Sequence, residues 1–246
     1  MKQPHLSIDL SRVAEYSERL DSLFKGYYRV WSSGSTKGMF IRSDAITRFN
    51  HILPWSIDCQ NVNSEILFAF QLMEEQIAKG VTDTKQQGEV KWFTVPDVIM
   101  QYYCNDIAYR IRSIWDKLGQ IINAYFLKSK YKKEDVDLYK VKDALRKTPY
   151  NYLHPVLQGV VESKTFKELK SYRDDFTHNL TQELANMRHF SGTFWHTDEL
   201  ANLLLDGYKQ IVETFEYVFE CIGKDAASTA VTNFQEMYDR TPFFKG

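Results

Sequence analysis

Residues 97–128 read DVIMQYYCNDIAYRIRSIWDKLGQIINAYFLK, and the apolar side chains in this stretch decide the fold. Ile99, Tyr103, Ile107, Ile114, Leu118, Ile121 and Tyr125 recur close to every 3.5 residues, the interval that keeps a stripe on one side of an α-helix. About 30 residues rising roughly 1.5 Å each span about 45 Å, enough to run the length of a bundle. The spacing therefore predicts a central helix with others packed around it. Arg110 falls in register with the stripe, where a charge needs a partner. An internal salt bridge with an acidic residue of a facing helix is expected there, against any role in a site.

The flanking sequence repeats the pattern. Only 6 Pro and 11 Gly punctuate 246 residues, so long intervals are free to form helices. Ser11 to Tyr28 puts Val13, Leu20, Leu23, Phe24 and Tyr27 on one side and is expected to end near Gly26. Asn63 or Ser64 can cap a helix running to Gly80 with Ile66, Leu67, Phe70, Met73 and Ile77 inward. Ser32 to Pro54 is Ser/Gly-rich and reads as loop with one short helix. Glu134 to Lys147 reads as a charged helix stopped by Pro149, and Tyr150 to Pro155 as a connector. Ser163 to Met187, a helix capped by Thr197, and Ala227 to Tyr238 complete the chain. No charge block, low-complexity linker or fixed repeat marks a boundary. The expectation is one all-α domain over 1–246, a single up-and-down helical bundle with a partly irregular N-terminal elaboration.

Composition narrows the function classes. The chain is 43% hydrophobic and 26% charged, with 31 Lys+Arg against 32 Asp+Glu, an ordinary globular balance. A net charge of -1 offers no overall attraction to nucleic acid, so any RNA contact must be local and brief. Cys59, Cys104 and Cys221 are odd in number, widely separated and without zinc-like intervals. They read as buried thiols of a reducing compartment. The stretch Met1 to Asp9 does not resemble a signal peptide and no run approaches 18 apolar residues, so a cytoplasmic protein without membrane contact is expected. No His-x-x-x-His, His-Glu-x-x-His, Gly-rich phosphate loop or Gly-x-Ser-x-Gly elbow occurs, so neither metal nor cofactor is expected.

One short constellation names a chemistry: Arg173-Asp174-Asp175-Phe176-Thr177-His178. An arginine that grips phosphate beside a histidine that moves a proton near neutral pH can cleave RNA without a metal. Spacing alone carries little, because chance supplies about one such Arg–His pair in a chain of this composition. Context carries more. Arg173 continues the apolar stripe 166, 169, 173, 176, 180, 184 and 187, where a charge is committed to a partner. Ser171 followed by Asp174 has the form of a capping box, so a new helix could start there. On an unbroken helix, instead, five residues turn through about 500° and separate the two side chains by about 140°. They would then meet only across a two-fold dimer. The competing assignment pairs Arg173 with a carboxylate and leaves His178 on a solvated face.

An all-α bundle carrying Arg173-Asp174-x-x-x-His178 resembles the HEPN superfamily (higher eukaryotes and prokaryotes nucleotide-binding). The resemblance covers about residues 98–238 as helical pattern, with about 1–97 as an N-terminal helical elaboration. It implies a metal-independent endoribonuclease acting as a homodimer, with a toxin or phage-defence role and an antitoxin partner. Arg173 would hold the scissile phosphate, His178 would act as general acid or base, and Asp174 would orient one of the two. The RNA 2′-hydroxyl would attack, leaving a 2′,3′-cyclic phosphate and a 5′-hydroxyl. Leu180 stands where toxin members modified by a nucleotidyltransferase carry tyrosine, so the resemblance does not extend to that mode of neutralisation. A catalytically silent helical scaffold or nucleotide-binding module on the same fold is the alternative.

Other candidates have plainer readings. His189 and His196 flank a loop before Thr197 and could approach the same cleft or serve no chemistry. The 15 Tyr, 16 Phe and 5 Trp could stack on bases, but Trp115, Phe176, Phe215 and Phe219 sit at core spacing. The cluster Lys128, Lys130, Lys132 and Lys133 around Tyr131 could attract phosphate, or simply complement a helix C-terminus.

Overall fold

The computed structural model describes residues 7–36, 44–81, 95–185 and 197–229, of which 30, 31, 33–36, 44–46, 97, 98, 175–185, 197, 198 and 227–229 by their backbone alone. Among them it contains helices and no strands. The helices are α1 (Leu10–Thr36), α2 (Asp44–His51), α3 (Leu53–Ala78), α4 (Val95–Tyr125), α5 (Leu138–Leu145), α6 (Leu153–Glu162), α7 (Lys164–Ala185) and α8 (Thr197–Thr229), with one 3-10 turn at Lys133–Asp135. The fold is an all-α bundle, as the periodicity predicts.

Cross-helix contacts give the directions. Gln60 donates to Asp21 at 2.6 Å and Asn63 to the Ser17 carbonyl at 3.0 Å, so α3 runs antiparallel to α1. Lys117 meets Asp58 and Arg110 meets Glu65, which turns α4 back along α3. Arg110 thus has its carboxylate on a facing helix, and Asp106 of its own helix as a second. Tyr172 against Asn105 and Phe166 against Trp115 set α7 antiparallel to α4. Arg19 forks onto Glu216 at 2.9 and 2.7 Å, bringing α8 alongside α1 in the same direction. The buried side chains form one continuous cluster, with Trp115, Tyr27, Tyr125, Tyr208, Phe215 and Phe219 among the largest fully enclosed.

Where the structure departs from the sequence reading, packing outweighs a local signal. The first helix passes Gly26 and reaches Thr36, because Phe24 and Tyr27 stack edge-on against Phe215 and Phe219 and outweigh about 1 kcal/mol of glycine propensity. The third helix starts at Leu53, with Pro54 in the first turn where its missing N–H costs nothing. Asn63 is therefore no cap. It is buried mid-helix, donating to Ser17 and accepting from the Tyr208 hydroxyl at 2.5 Å. The expected helix from Glu134 starts only at Leu138, capped by the Asp137 side chain on the Lys140 N–H at 2.8 Å. The expected connector before Pro155 already contains the start of α6. Most of the helix expected over 227–238 lies outside the described residues, with α8 continuing to Thr229.

Arg48 ties the N-terminal segment to the bundle. Only 7% exposed, its guanidinium donates to the Tyr125 carbonyl at 3.0 Å, the Tyr150 hydroxyl at 2.9 Å and Asp225 at 3.3 Å. Tyr125 donates its hydroxyl to the same Asp225 oxygen at 2.9 Å. One short helix is thereby fastened to the ends of α4 and α8 and to the turn before α6.

All three cysteines are free and buried. Burial pushes the Cys104 thiol up to about 12 and that of Cys221 up to about 11, and raises that of Cys59 as well. Thiolate is the reactive form, so the native protein at pH 8 is expected to resist a small disulfide reagent, with all three thiols reacting only in denaturant. Rapid native labelling of Cys104 would show that α4 opens locally. Among the described residues no helix is long and apolar enough to cross a membrane.

Candidate functional site

Helix α7 is held on α4 at two levels. Toward its C-terminal half, Tyr172 donates its hydroxyl to Asn105 and accepts from Gln101 at 2.6 Å. Nearer its start, Phe166 meets Trp115 edge-on with ring centres 5.7 Å apart. Beneath them Gly207 of α8 admits Leu169 so closely that a Cβ there would overlap its side chain. Between the two levels opens a cleft lined by Ala108, Ile111, Arg112 and Trp115 of α4 and by Phe166, Leu169, Lys170 and Arg173 of α7.

Arg173 is half-buried at this cleft. Its Nε donates to Asp174 Oδ1 at 3.0 Å and its Nη2 to the same oxygen, so the adjacent carboxylate fixes the guanidinium. The capping box read at Ser171–Asp174 does not start a helix: α7 is continuous from Lys164 to Ala185. Buried Leu169 and Tyr172 carry the helix through that point. The cap is instead Ser163, whose Oγ accepts from the Phe166 N–H at 3.1 Å. With no break, positions 173 and 178 lie about 140° apart around the α7 axis. The His178 side chain lies outside the described residues, as do His189 and His196.

The structure adds residues that sequence reasoning missed. Arg112 Nη2 pairs with Asp116 Oδ1 at 3.1 Å, one turn along α4. Burial pushes the Asp116 carboxyl above the usual carboxylate range, against the opposing pull of Arg112 and Arg173. Lys170, one turn before Arg173, places its ammonium 5.5 Å from the centre of the Tyr139 ring. The only sequence signals were the four-residue Arg112–Asp116 interval and the three-residue Lys170–Arg173 interval, neither distinctive on a helix.

Other sequence candidates sit elsewhere. Lys128 to Lys133 form the turn after α4, about 20 Å along that helix from Arg112. There Lys133 packs over Trp55 at 4.9 Å, and Lys128 and Ser129 have φ of 54° and 56°. Trp115, Phe215 and Phe219 are core residues, while Phe176 lies outside the described side chains. No group of three or more His, Cys, Asp and Glu able to hold a metal ion occurs among the described residues.

A family model described as HEPN_Cthe2314-like HEPN matches residues 55–223, more than half of the chain. The chain belongs to the HEPN superfamily. No curated protein and no solved structure matches it. The HEPN segment begins early in α3, upstream of Val98, and ends in α8, so it contains the α4–α7 cleft and the whole Arg173–His178 stretch. Helices α1 and α2 precede it. Arg48 and Asp225 both fall just outside it, one on each side, and their ion pair closes the HEPN helices against the added N-terminal pair.

Proposed function

We propose that this HEPN protein is a metal-independent endoribonuclease that cleaves RNA as a homodimer in a toxin or defence role. The observation that carries the reading is Arg173, held by Asp174 at a cleft inside the HEPN segment, on a continuous helix that also bears His178. A fixed guanidinium can bind the scissile phosphate and stabilise the charge that develops on it. His178 takes the proton of the 2′-hydroxyl as its oxygen bonds to phosphorus. The P–O5′ bond breaks and the departing oxygen takes a proton from water, while a two-fold dimer brings Arg173 of one copy to the His178 of the other. The products are a 2′,3′-cyclic phosphate and a 5′-hydroxyl.

A second reading is favoured by one feature. Asp174 already neutralises Arg173, which suits a silent HEPN scaffold or nucleotide-binding module in which the pair only stabilises a dimer. Purified protein incubated with RNA in excess EDTA separates the two. Cleavage with cyclic-phosphate ends supports the ribonuclease; intact RNA at high enzyme concentration supports the scaffold.

A further inference from the structure

We propose that the α4–α7 cleft is a phosphate-binding site in which Arg112 of α4 acts together with Lys170 and Arg173 of α7. Arg112 spends Nη2 on Asp116, while its Nε and Nη1 are buried without a hydrogen-bond partner among the described residues. A buried donor left unsatisfied is costly, more so on a charged group, so the residue is poised for an acceptor that enters the cleft. A phosphate oxygen is such an acceptor, and guanidinium groups match its geometry.

The charges around the cleft fit the same ligand. Arg112, Lys170 and Arg173 face two carboxylates, Asp116 and Asp174, each already on an arginine. Guanidinium and ammonium groups from two helices converge there, which favours an anionic ligand. Trp115 and Phe166 form an apolar wall that keeps water from screening the interaction. Assigning the phosphate to an RNA backbone rests on the ribonuclease reading; the binding site itself does not.

The test titrates the full-length protein at low salt with a 2′-O-methyl oligoribonucleotide, which cannot be cleaved through its 2′ position, and separately with adenosine 5′-monophosphate. Arg112→Gln and Lys170→Gln are each expected to weaken binding about tenfold. Each should also reduce the slope of log affinity against log salt by about 0.7. Asp116→Asn, which removes a competing carboxylate, is expected to tighten binding. Lys170 is exposed, so its substitution keeps the test valid should Arg112→Gln unfold the chain. A response confined to the oligonucleotide assigns the site to an RNA backbone, and an equal response to the mononucleotide assigns it to a terminal phosphate. Wild type that binds neither probe, or variants that bind both as wild type does, overturn the proposal. Cleavage of unmodified RNA is measured in parallel. Binding without cleavage defeats the ribonuclease reading and spares the site; cleavage with unchanged variant binding does the reverse.

Discussion

Arg48→Ala is expected to destabilise the fold by about 3–5 kcal/mol, the usual cost of removing one partner of a buried ion pair. Three groups lose their donor at once: the Tyr125 carbonyl, the Tyr150 hydroxyl and Asp225. Asp225 would then keep the Tyr125 hydroxyl but lose the Arg48 guanidinium. In a chain of this length each kcal/mol shifts the melting temperature by about 2–4 °C, so a fall of roughly 10 °C is predicted by differential scanning calorimetry. Asp225→Ala should cost a similar amount. The double variant should lose much less than the sum, since the two share one interaction. A loss below about 1 kcal/mol for Arg48→Ala would show that the pair behaves like a surface contact.

His178→Ala is expected to lower RNA cleavage by about 10²–10⁴-fold, the range supplied by a positioned general acid or base, with the melting temperature nearly unchanged. Arg173→Ala should cost about 10²–10³-fold, comparable with losing one preorganised donor to a developing oxyanion. Arg173→Lys should not rescue it, because an ammonium cannot reproduce the planar fork. Asp174→Ala should give a smaller loss, since Arg173 keeps its charge and loses only a contact that fixes it. Quantitative cleavage of a labelled oligoribonucleotide in EDTA, alongside thermal melts, reads all four. A His178→Ala protein that cleaves like wild type would remove the catalytic role assigned to that residue.

Helical architecture was legible in the sequence because periodicity reports burial directly. The stripe from Ile99 to Tyr125 runs through the bundle, and Arg110 found its carboxylate across the α3 contact, at the exposed edge of that contact rather than inside it. Boundaries were less legible, because caps and glycines are weak signals beside packing. Gly26 could not end α1 while Tyr27 was anchored on Phe49 and Phe219, and Asn63 was spent on Ser17 and Tyr208 rather than on a helix start. Proline was misread in the opposite sense: Pro54 and Pro155 stand in first turns, where the missing N–H is harmless.

The candidate site shows a different limit. Arg173, Asp174 and His178 could be named from sequence because their types and order suggest a reaction, and the family match covers the segment that holds them. The unbroken α7, however, depends on how Leu169 and Tyr172 pack against α4 and α8, which no local pattern records. Arg112 escaped notice for the same reason. Its intended partner is defined by what faces it across the cleft, and pairwise spacing along one helix cannot reveal that.

On the proposed ribonuclease reading, the unbroken α7 requires an active centre shared by two chains, and subunit mixing tests this most directly. Arg173→Ala and His178→Ala proteins are each expected to be inactive alone. Unfolded, mixed in equal amounts and refolded together, half of their dimers pair one of each. Every such mixed dimer then has one site with both native side chains, restoring about a quarter of wild-type RNA cleavage. If the mixture stays as inactive as its components while mixed dimers are shown to form, Arg173 and His178 do not act across a shared cleft, and the account fails.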